Sequence, residues 1–194
     1  MVGLGNPGAE YARTRHNAGF VFVKQLAREC GVKFNRKKQV AYAEVKNKFP
    51  EGVILALPRT YMNRSGSAVA WLAEKFKAGN EDIVIVVDDF DLALGDVRIR
   101  ERGSAGSHKG LQSVIQELGT KEFPRIRIGI GPLPENEDAA GFVLSSFPKT
   151  EQILFKDGLR KAWQALDLVL SGDTGAAMNK FNKPGLFTGR DGRN

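Results

Sequence analysis

The run Ile83-Val84-Ile85-Val86-Val87 is the feature that most constrains the fold of this chain. Five consecutive β-branched apolar residues favour a strand. Because no polar residue alternates with them, both faces of that strand are expected to be buried, as they are in the middle of a largely parallel sheet. The run therefore predicts a central strand.

Apolar residues elsewhere follow two spacings, of about two residues and of three to four, which indicates an α/β domain. Strands are predicted over 40–45, 52–57, 83–87, 97–101 and 126–130, and helices over 20–30, 69–76, 111–118, 150–170 and 174–181. No internal repeat or interior linker interrupts the pattern. We expect one domain over residues 1–182 and a flexible tail over 183–194, where Lys, Pro, Gly, Arg and Asn dominate.

Net charge bears on the class of partner. Lys and Arg number 29 against 22 Asp and Glu, a net charge of +7, which favours polyanions such as nucleic acid. The single cysteine, Cys30, excludes an internal disulfide and fits a reducing compartment. No apolar run is long enough for a membrane helix, and the start has no export signal. A first strand ending at Leu4 would be very short, which is compatible with residues missing upstream of Met1.

The opening Gly3-Leu4-Gly5-Asn6-Pro7-Gly8 matches the G-x-G-x-x-G pattern of dinucleotide-binding folds. That motif needs a helix that begins at the glycines, under the pyrophosphate. Here a polar stretch follows Pro7 and the helix is predicted to begin near Asn17. We therefore interpret the opening as a turn at a strand end that brings Asn6 and His16 together, and predict no cofactor.

The chain has only two histidines, His16 and His108, and both lie in glycine-rich segments. Histidine is the usual general base near neutral pH. Surface or capping histidines are the ordinary alternative, and the segments favour function more for His16 than for His108. Two histidines without acidic partners at ligand spacing make a poor metal site, so we predict no metal.

Polar residues follow two of the predicted strands. Asp88 directly follows the central strand, at the edge where α/β folds place their sites, and is the candidate that orients an imidazole. Asp89 and Asp91 are interpreted as turn or capping residues. Asn63 either caps the next helix or binds a substrate carbonyl; Ser65 is an equally good cap, which leaves Asn63 freer for function.

Arginines alternate along two strands, as Arg98, Arg100 and Arg102 and as Arg125 and Arg127. Alternation places each set on one face. A solvated sheet face is the ordinary meaning, but five arginines near a glycine-rich loop better fit a surface that follows phosphates. Aromatic residues do not interleave with them, so recognition of helical RNA by shape and backbone is favoured over base stacking. No G-x-S-x-G motif is present and Cys30 is predicted to be buried, so activated water is favoured over a covalent nucleophile.

Eight segments, in order, resemble the signatures of bacterial-type peptidyl-tRNA hydrolase, over about residues 2–182. They are Gly3–Gly8 with Tyr11, Thr14–Phe20, Tyr61–Gly66, Asp88–Leu92 with Gly95, Gly103–Leu111, Arg125–Gly131, and the landmarks Gly141–Leu144 and Asn179–Asn182. The resemblance implies a single α/β domain in which helices surround a twisted mixed sheet. It also implies a monomeric, metal-free cytoplasmic enzyme that cleaves the ester between peptide and tRNA.

The resemblance also assigns roles. His16 is implied as the catalytic base and Asp88 as its orienting carboxylate. The implied substrate-binding residues are Asn6, Tyr11, Met62, Asn63, His108 and Lys109, and the implied tRNA-binding residues are Arg98, Arg100 and Arg127. Lys109 departs from the family, which commonly has asparagine there; an ammonium donates hydrogen bonds but accepts none, so Lys109 is expected to grip phosphate instead.

Two other functions are compatible with parts of the sequence. A non-catalytic RNA-binding protein would explain the basic strands, but it has no need of Asn6, His16, Asn63 and Asp88 together. An amidase for N-blocked peptides would leave the net charge of +7 unexplained.

Overall fold

A seven-stranded mixed sheet forms the centre of the molecule in the computed structural model, which describes residues 1–49 and 51–182. The strands are β1 (Val2–Gly3), β2 (Asn35–Arg36), β3 (Val40–Val45), β4 (Val53–Pro58), β5 (Ile85–Ala93), β6 (Val97–Arg100) and β7 (Arg125–Gly131). The helices are α1 (Ala18–Glu29), α2 (Ser65–Phe76), α3 (Lys109–Leu118), α4 (Ala139–Leu144), α5 (Gln152–Leu170) and α6 (Thr174–Phe181).

The four middle strands are parallel, in the order β4-β1-β5-β7, and β2, β3 and β6 extend the sheet with antiparallel pairing. The chain leaves β1 toward β4 on one side and later crosses back to β5 on the other. The carboxyl ends of β1 and β5 therefore meet where the order of the strands reverses, which is where open α/β sheets bind ligands.

Side chains alternate between two apolar layers along β5. Val84 and Val86 pack in the layer of α1, α5 and α6, whereas Ile85 and Val87 pack in the layer of α2 and α3. The central strand is thus covered on both faces, as its unbroken apolar run predicts.

Glycines let α1 approach the sheet closely. A Cβ at Gly3 would collide with the backbone of Gly19, and one at Gly19 would meet backbone atoms of Leu4 and Val86. Because α1 begins at Ala18, this contact fixes the segment just before the helix against the ends of β1 and β5. The opening glycines therefore serve helix packing, and α1 begins too late to bind a pyrophosphate at those glycines.

The expected α/β class is confirmed, and most element bounds agree within a few residues. One interpretation is wrong: β5 continues to Ala93, so Asp88, Asp89 and Asp91 lie within the strand and do not form a turn after it. The short helix α4 and the two-residue strand β2 are not apparent in the apolar spacing. The predicted tail over 183–194 lies outside the described residues.

None of the helices in the described part of the chain combines the length and the apolar character that crossing a membrane requires.

Candidate active site

Three segments meet at the carboxyl edge of the parallel strands. The turn after β1 contributes Asn6, a one-turn 3-10 helix over Met62–Arg64 follows β4, and Asp88 lies on β5. A second one-turn 3-10 helix, Arg15–Asn17, contributes His16. Together with the start of α3 and with α4 they line a cleft of about 690 Å³.

His16 and Asp88 form a short polar contact in this cleft. Nδ1 of His16 lies 2.9 Å and 3.0 Å from the two carboxylate oxygens of Asp88. Burial alone would raise the pKa of Asp88, but His16 and His108 reverse that effect and hold it well below its ordinary value. An ionised Asp88 accepts hydrogen bonds only, so Nδ1 of His16 carries a proton, and in the neutral ring Nε2 has the lone pair. The structure thus places these two residues in contact, and the roles of base and orienting carboxylate stay a prediction.

His108 contacts the same carboxylate. Its Nε2 lies 3.1 Å from Oδ1 of Asp88, and its Nδ1 accepts hydrogen bonds from the backbone N–H groups of Gly110 and Leu111, each at 3.1 Å. The ring therefore caps α3. Both ring nitrogens of His108 therefore make hydrogen bonds within the protein, whereas the sequence predicted that His108 binds substrate.

Asn6 is buried, and its side-chain oxygen already has a hydrogen-bond partner. Its side-chain oxygen accepts a hydrogen bond from the backbone N–H of Met62 at 2.7 Å, and its own backbone N–H donates to Oδ1 of Asn17 at 2.8 Å. Asn17 returns a bond from Nδ2 to the carbonyl of Asn6 at 3.0 Å. The side-chain amide group of Asn6, a pure donor, is thus left for the cleft that Asn6 lines.

Asn63 and Met62 line the cleft on its β4 side, where Asn63 is exposed and Met62 buried. No side chain caps α2 at its first residues, so neither Asn63 nor Ser65 acts as the expected cap. Met62 packs its sulfur where a Cβ of Gly110 would lie, which joins the β4 side of the cleft to α3.

The other two predicted substrate residues differ in position. Lys109 is exposed at the first turn of α3 and lines the cleft beside His108. Tyr11 is half-buried and is not among the cleft-lining residues; its carbonyl accepts hydrogen bonds from the backbone N–H and hydroxyl of Thr14. A substrate role for Tyr11 stays a prediction.

The arginines of β6 and β7 do not form one uniform surface. Arg98 lies directly across from Arg127, and Arg100 across from Arg125. Arg100 is exposed, Arg98 is half-buried, and Nε of Arg127 lies 2.9 Å from Oδ2 of Asp89. Arg127 lines the cleft, so these basic groups reach its edge.

The prediction that Arg125 belongs to a surface that follows phosphates is wrong. It is 2% exposed and donates to the carbonyls of Gly103 and Lys121, both at 2.8 Å. Burial, together with the neighbouring Arg127, lowers its pKa to about 10. Arg125 therefore fixes the Gly103–Gly110 loop, and only geometry distinguishes it from its alternating neighbours.

Arg15 is a further residue that sequence reasoning missed. Its guanidinium lies between the rings of Phe142 and Phe147, 4.6 Å and 4.7 Å from their centroids, and Nη2 is 2.7 Å from Glu151. This buried arginine attaches the 3-10 helix that carries His16 to α4 and α5. The only sequence signal was its position next to His16.

The His16, Asp88 and His108 side chains are close enough to be considered as a metal site, because one ligand atom of each lies within 4.8 Å of the others. The sequence has no acidic residue at metal-ligand spacing from either histidine, and the fold brings Asp88 to both. Three of the four ring nitrogens already make hydrogen bonds, so within the described part of the chain only Nε2 of His16 is left as an imidazole ligand. Zinc sites in proteins use three or four protein ligands, so this arrangement fits a metal poorly.

Two other features of the described residues are less suited to chemistry. A cavity of about 940 Å³ at the opposite end of the sheet carries five carboxylates and one lysine, and no histidine is among its described lining residues. Cys30 is half-buried, and burial raises the pKa of its thiol, which disfavours the reactive thiolate.

Comparison with known proteins identifies relatives over nearly the whole chain. A family model described as peptidyl-tRNA hydrolase matches residues 1–188. The chain is 42% identical over 182 residues to the peptidyl-tRNA hydrolase of Methylacidiphilum infernorum, covering 94% of this chain and 96% of that protein. It is 44% identical over 189 residues to the one from Chloroflexus aggregans, covering 94% and 97%.

Solved structures give the same result for the fold. The crystal structure of peptidyl-tRNA hydrolase from Acinetobacter baumannii superposes with a TM-score of 0.86 at 37% identity, covering 94% of this chain and 93% of that one.

Proposed function

Since the chain belongs to the peptidyl-tRNA hydrolase family, we propose that it hydrolyses the ester of peptidyl-tRNA by general-base activation of water at His16. The family relationship carries the substrate class and the reaction. The observation that carries the mechanism is the contact of His16 Nδ1 with both oxygens of Asp88, at 2.9 Å and 3.0 Å. This contact leaves Nε2 as the basic nitrogen in the cleft.

The proton path follows from that tautomer. Nε2 takes a proton from water, the hydroxide attacks the ester carbonyl, and the ionised Asp88 stabilises the imidazolium that forms. Collapse of the tetrahedral intermediate breaks the bond to the ribose oxygen, which takes the proton back from Nε2. Assistance of this type is typically worth about 10²–10⁴-fold in rate.

Two amides hold the acyl group. The Nδ2 group of Asn6 can only donate, because its side-chain oxygen is bound to the N–H of Met62; it is suited to a peptide carbonyl or to the developing oxyanion. Asn63 is exposed in the same cleft and can both donate and accept. The buried Met62 and the partly exposed Tyr61 and Leu144 supply apolar contact for the peptide.

The tRNA is expected to lie along β6 and β7. Arg98, Arg100 and Arg127 are on one face of these strands, and that face ends at the cleft. Lys109 adds a cation at the mouth, next to His108, where it is placed to bind a phosphate near the tRNA end.

A non-catalytic RNA-binding protein remains the rival function. It would explain the arginines, but it would not require a buried carboxylate held against two histidines inside a cleft. An amidase would share the site but would have no use for the arginine face beside it.

The chain is also proposed to work as a monomer in the cytoplasm, where its substrate is produced. Size-exclusion chromatography with light scattering tests the first point; a stable dimer over a wide range of concentration would contradict it.

The deciding assay compares N-acetyl-aminoacyl-tRNA with unblocked aminoacyl-tRNA. The blocked substrate mimics a peptide and should be hydrolysed in a time course that depends on enzyme concentration, whereas the unblocked one should be cut much more slowly. No release from the blocked substrate by a protein that binds tRNA would favour the RNA-binding rival. Equal cleavage of an N-acetyl-peptide amide would favour the amidase.

A further inference from the structure

The two histidines of the site use the same carboxylate in opposite ways. His16 contacts Asp88 through Nδ1, whereas His108 contacts it through Nε2 at 3.1 Å. Their ring centroids are 5.0 Å apart. The chain has no other histidine. The different attachment of these two rings favours opposite tautomers.

The hydrogen bonds of His108 fix its tautomer. Two backbone N–H groups, of Gly110 and Leu111, point at Nδ1 from 3.1 Å each. An amide N–H only donates, so Nδ1 has to offer a lone pair, and the ring proton is on Nε2, from which it is donated to Asp88. His16 is the reverse, with its proton on Nδ1 and its lone pair on Nε2.

We propose that His108 is a positioning residue that stays neutral throughout the reaction and holds Asp88 for His16. This inference rests on the proposed general-base mechanism. Protonation of Nδ1 would break both capping hydrogen bonds and place a positive charge at the positive end of the α3 dipole. A helix N-terminus is known to keep an imidazole neutral in this way.

The charged groups around His108 act in both directions. Asp88 on β5 favours a proton on the ring, whereas Lys109 on the same helix and the imidazolium that His16 forms during the reaction oppose it. Met62, which packs at Gly110 beside the ring, is neutral. Because Nε2–H of His108 already satisfies Asp88, a second positive charge would add repulsion and no new hydrogen bond.

A neutral His108 explains how one carboxylate serves two rings. The bond from its Nε2 fixes Oδ1 of Asp88 without neutralising the charge, so the carboxylate remains available to the imidazolium of His16. A protonated His108 would compete for that charge from 5.0 Å away and make His16 a weaker base.

A matched pair of substitutions separates the two bonds of the ring. In His108→Asn the side chain reaches the Nδ1 position and can cap α3, but it has no donor at the Nε2 position. In His108→Gln an amide reaches the Nε2 position and can donate to Asp88, but the cap is removed.

We expect His108→Asn to retain the thermal stability of the wild type and to lose about tenfold in kcat at unchanged KM, because a hydrogen bond to a charged group is removed. The acid limb of its kcat profile should move to higher pH, because a less well solvated Asp88 attracts the proton of His16 more strongly. His108→Gln should keep kcat within a few-fold and lose stability. A kcat that follows stability in both variants, or a KM effect in both, would overturn the proposal.

Nitrogen NMR of the unmutated protein tests the tautomer without reference to activity. With two histidines, a His16→Ala sample assigns the spectrum. His108 should show a protonated Nε2 and an unprotonated Nδ1 in the active enzyme, which is the reverse of the neutral His16 ring. A proton on Nδ1 of His108 would disprove the positioning role even if hydrolysis is confirmed. Absence of hydrolysis with the expected tautomer would instead count against the proposed function.

Discussion

Asp88 and Asp89 are neighbours on β5, and both are buried, yet they belong to different regions of the site. Asp88 is held by two histidines, His16 just before α1 and His108 at the start of α3, and both lower its pKa. Asp89 faces the α2 and α3 layer and pairs with Arg127 at 2.9 Å; burial raises its pKa in spite of that arginine. One-residue alternation along a strand is enough to separate them.

The difference between them lies in the partner. A guanidinium does not lose its proton in proteins, so the Asp89–Arg127 pair has one working charge state, which suits a structural contact and the proposed binding of RNA. An imidazole gains and loses a proton near neutral pH, so the Asp88–His16 pair has two working states, as a base requires. The type of base beside each carboxylate thus separates the chemistry from the binding surface.

The largest effect is expected from Asp88→Asn. An amide can donate to Nδ1 of His16 and favour the tautomer with its proton on Nε2, which removes the base. We predict a fall in kcat of about 10²–10⁴-fold with tRNA affinity retained, measured in single-turnover hydrolysis. Asp91→Asn, an exposed carboxylate of the same cleft, is the matched control. Equal activity of the two variants would abolish the distinction drawn for Asp88.

The basic face beside Asp89 is tested by the double substitution Arg98→Gln and Arg100→Gln. Weaker binding of phosphates should raise KM several-fold, leave kcat unchanged, and reduce the slope of log affinity against log salt by about one for each phosphate that is no longer neutralised. Arg28→Gln, exposed in the last turn of α1, is the control. A fall in kcat without a change in salt dependence would mean that this face takes part in the chemistry.

Lys109 lies next to His108 but is exposed, so it is expected to behave like the arginines. Lys109→Asn should change KM by about two- to threefold and lower the salt slope by up to about one, with the pH profile of kcat unaltered. A shifted pH profile would place its charge in contact with the His16–Asp88 pair.

The smallest effect on activity is predicted for Asp89→Asn. Arg127 can turn toward solvent because its side chain is 25% exposed, so stability should fall by only about 1 kcal/mol and kcat should stay within a few-fold.

The raised pKa of Asp89 means that the folded state keeps a proton that the unfolded chain has released. The wild type should therefore lose its stability advantage over Asp89→Asn as pH rises from about 4 toward neutrality. Chemical denaturation at several pH values measures this; an advantage that grows with pH would contradict it.

Much of this arrangement could be predicted from the sequence, for reasons that are local. The apolar run 83–87 indicates the buried strand, and polar residues after parallel strands converge at one edge. His16, Asn6 and Asp88 could therefore be grouped, and the family resemblance assigns their roles.

Other features depend on side-chain geometry that spacing does not encode. Arg125 and Arg127 are two residues apart on one face, yet the first binds carbonyls in the interior and the second pairs with Asp89. His108 could be noticed, but its capping of α3 depends on where that helix begins. Arg15 and Asn17 gave no signal beyond their proximity to His16, because their contacts are distant in sequence.

The central claim is that His16 is the base, and single-turnover hydrolysis of N-acetyl-aminoacyl-tRNA by His16→Ala tests it most directly, with tRNA affinity measured on the same preparation. The account predicts a rate lower by about 10²-fold or more and an affinity nearly equal to that of the wild type, since the basic face is untouched. Turnover within a few-fold of wild type would contradict it and exclude His16 as the base.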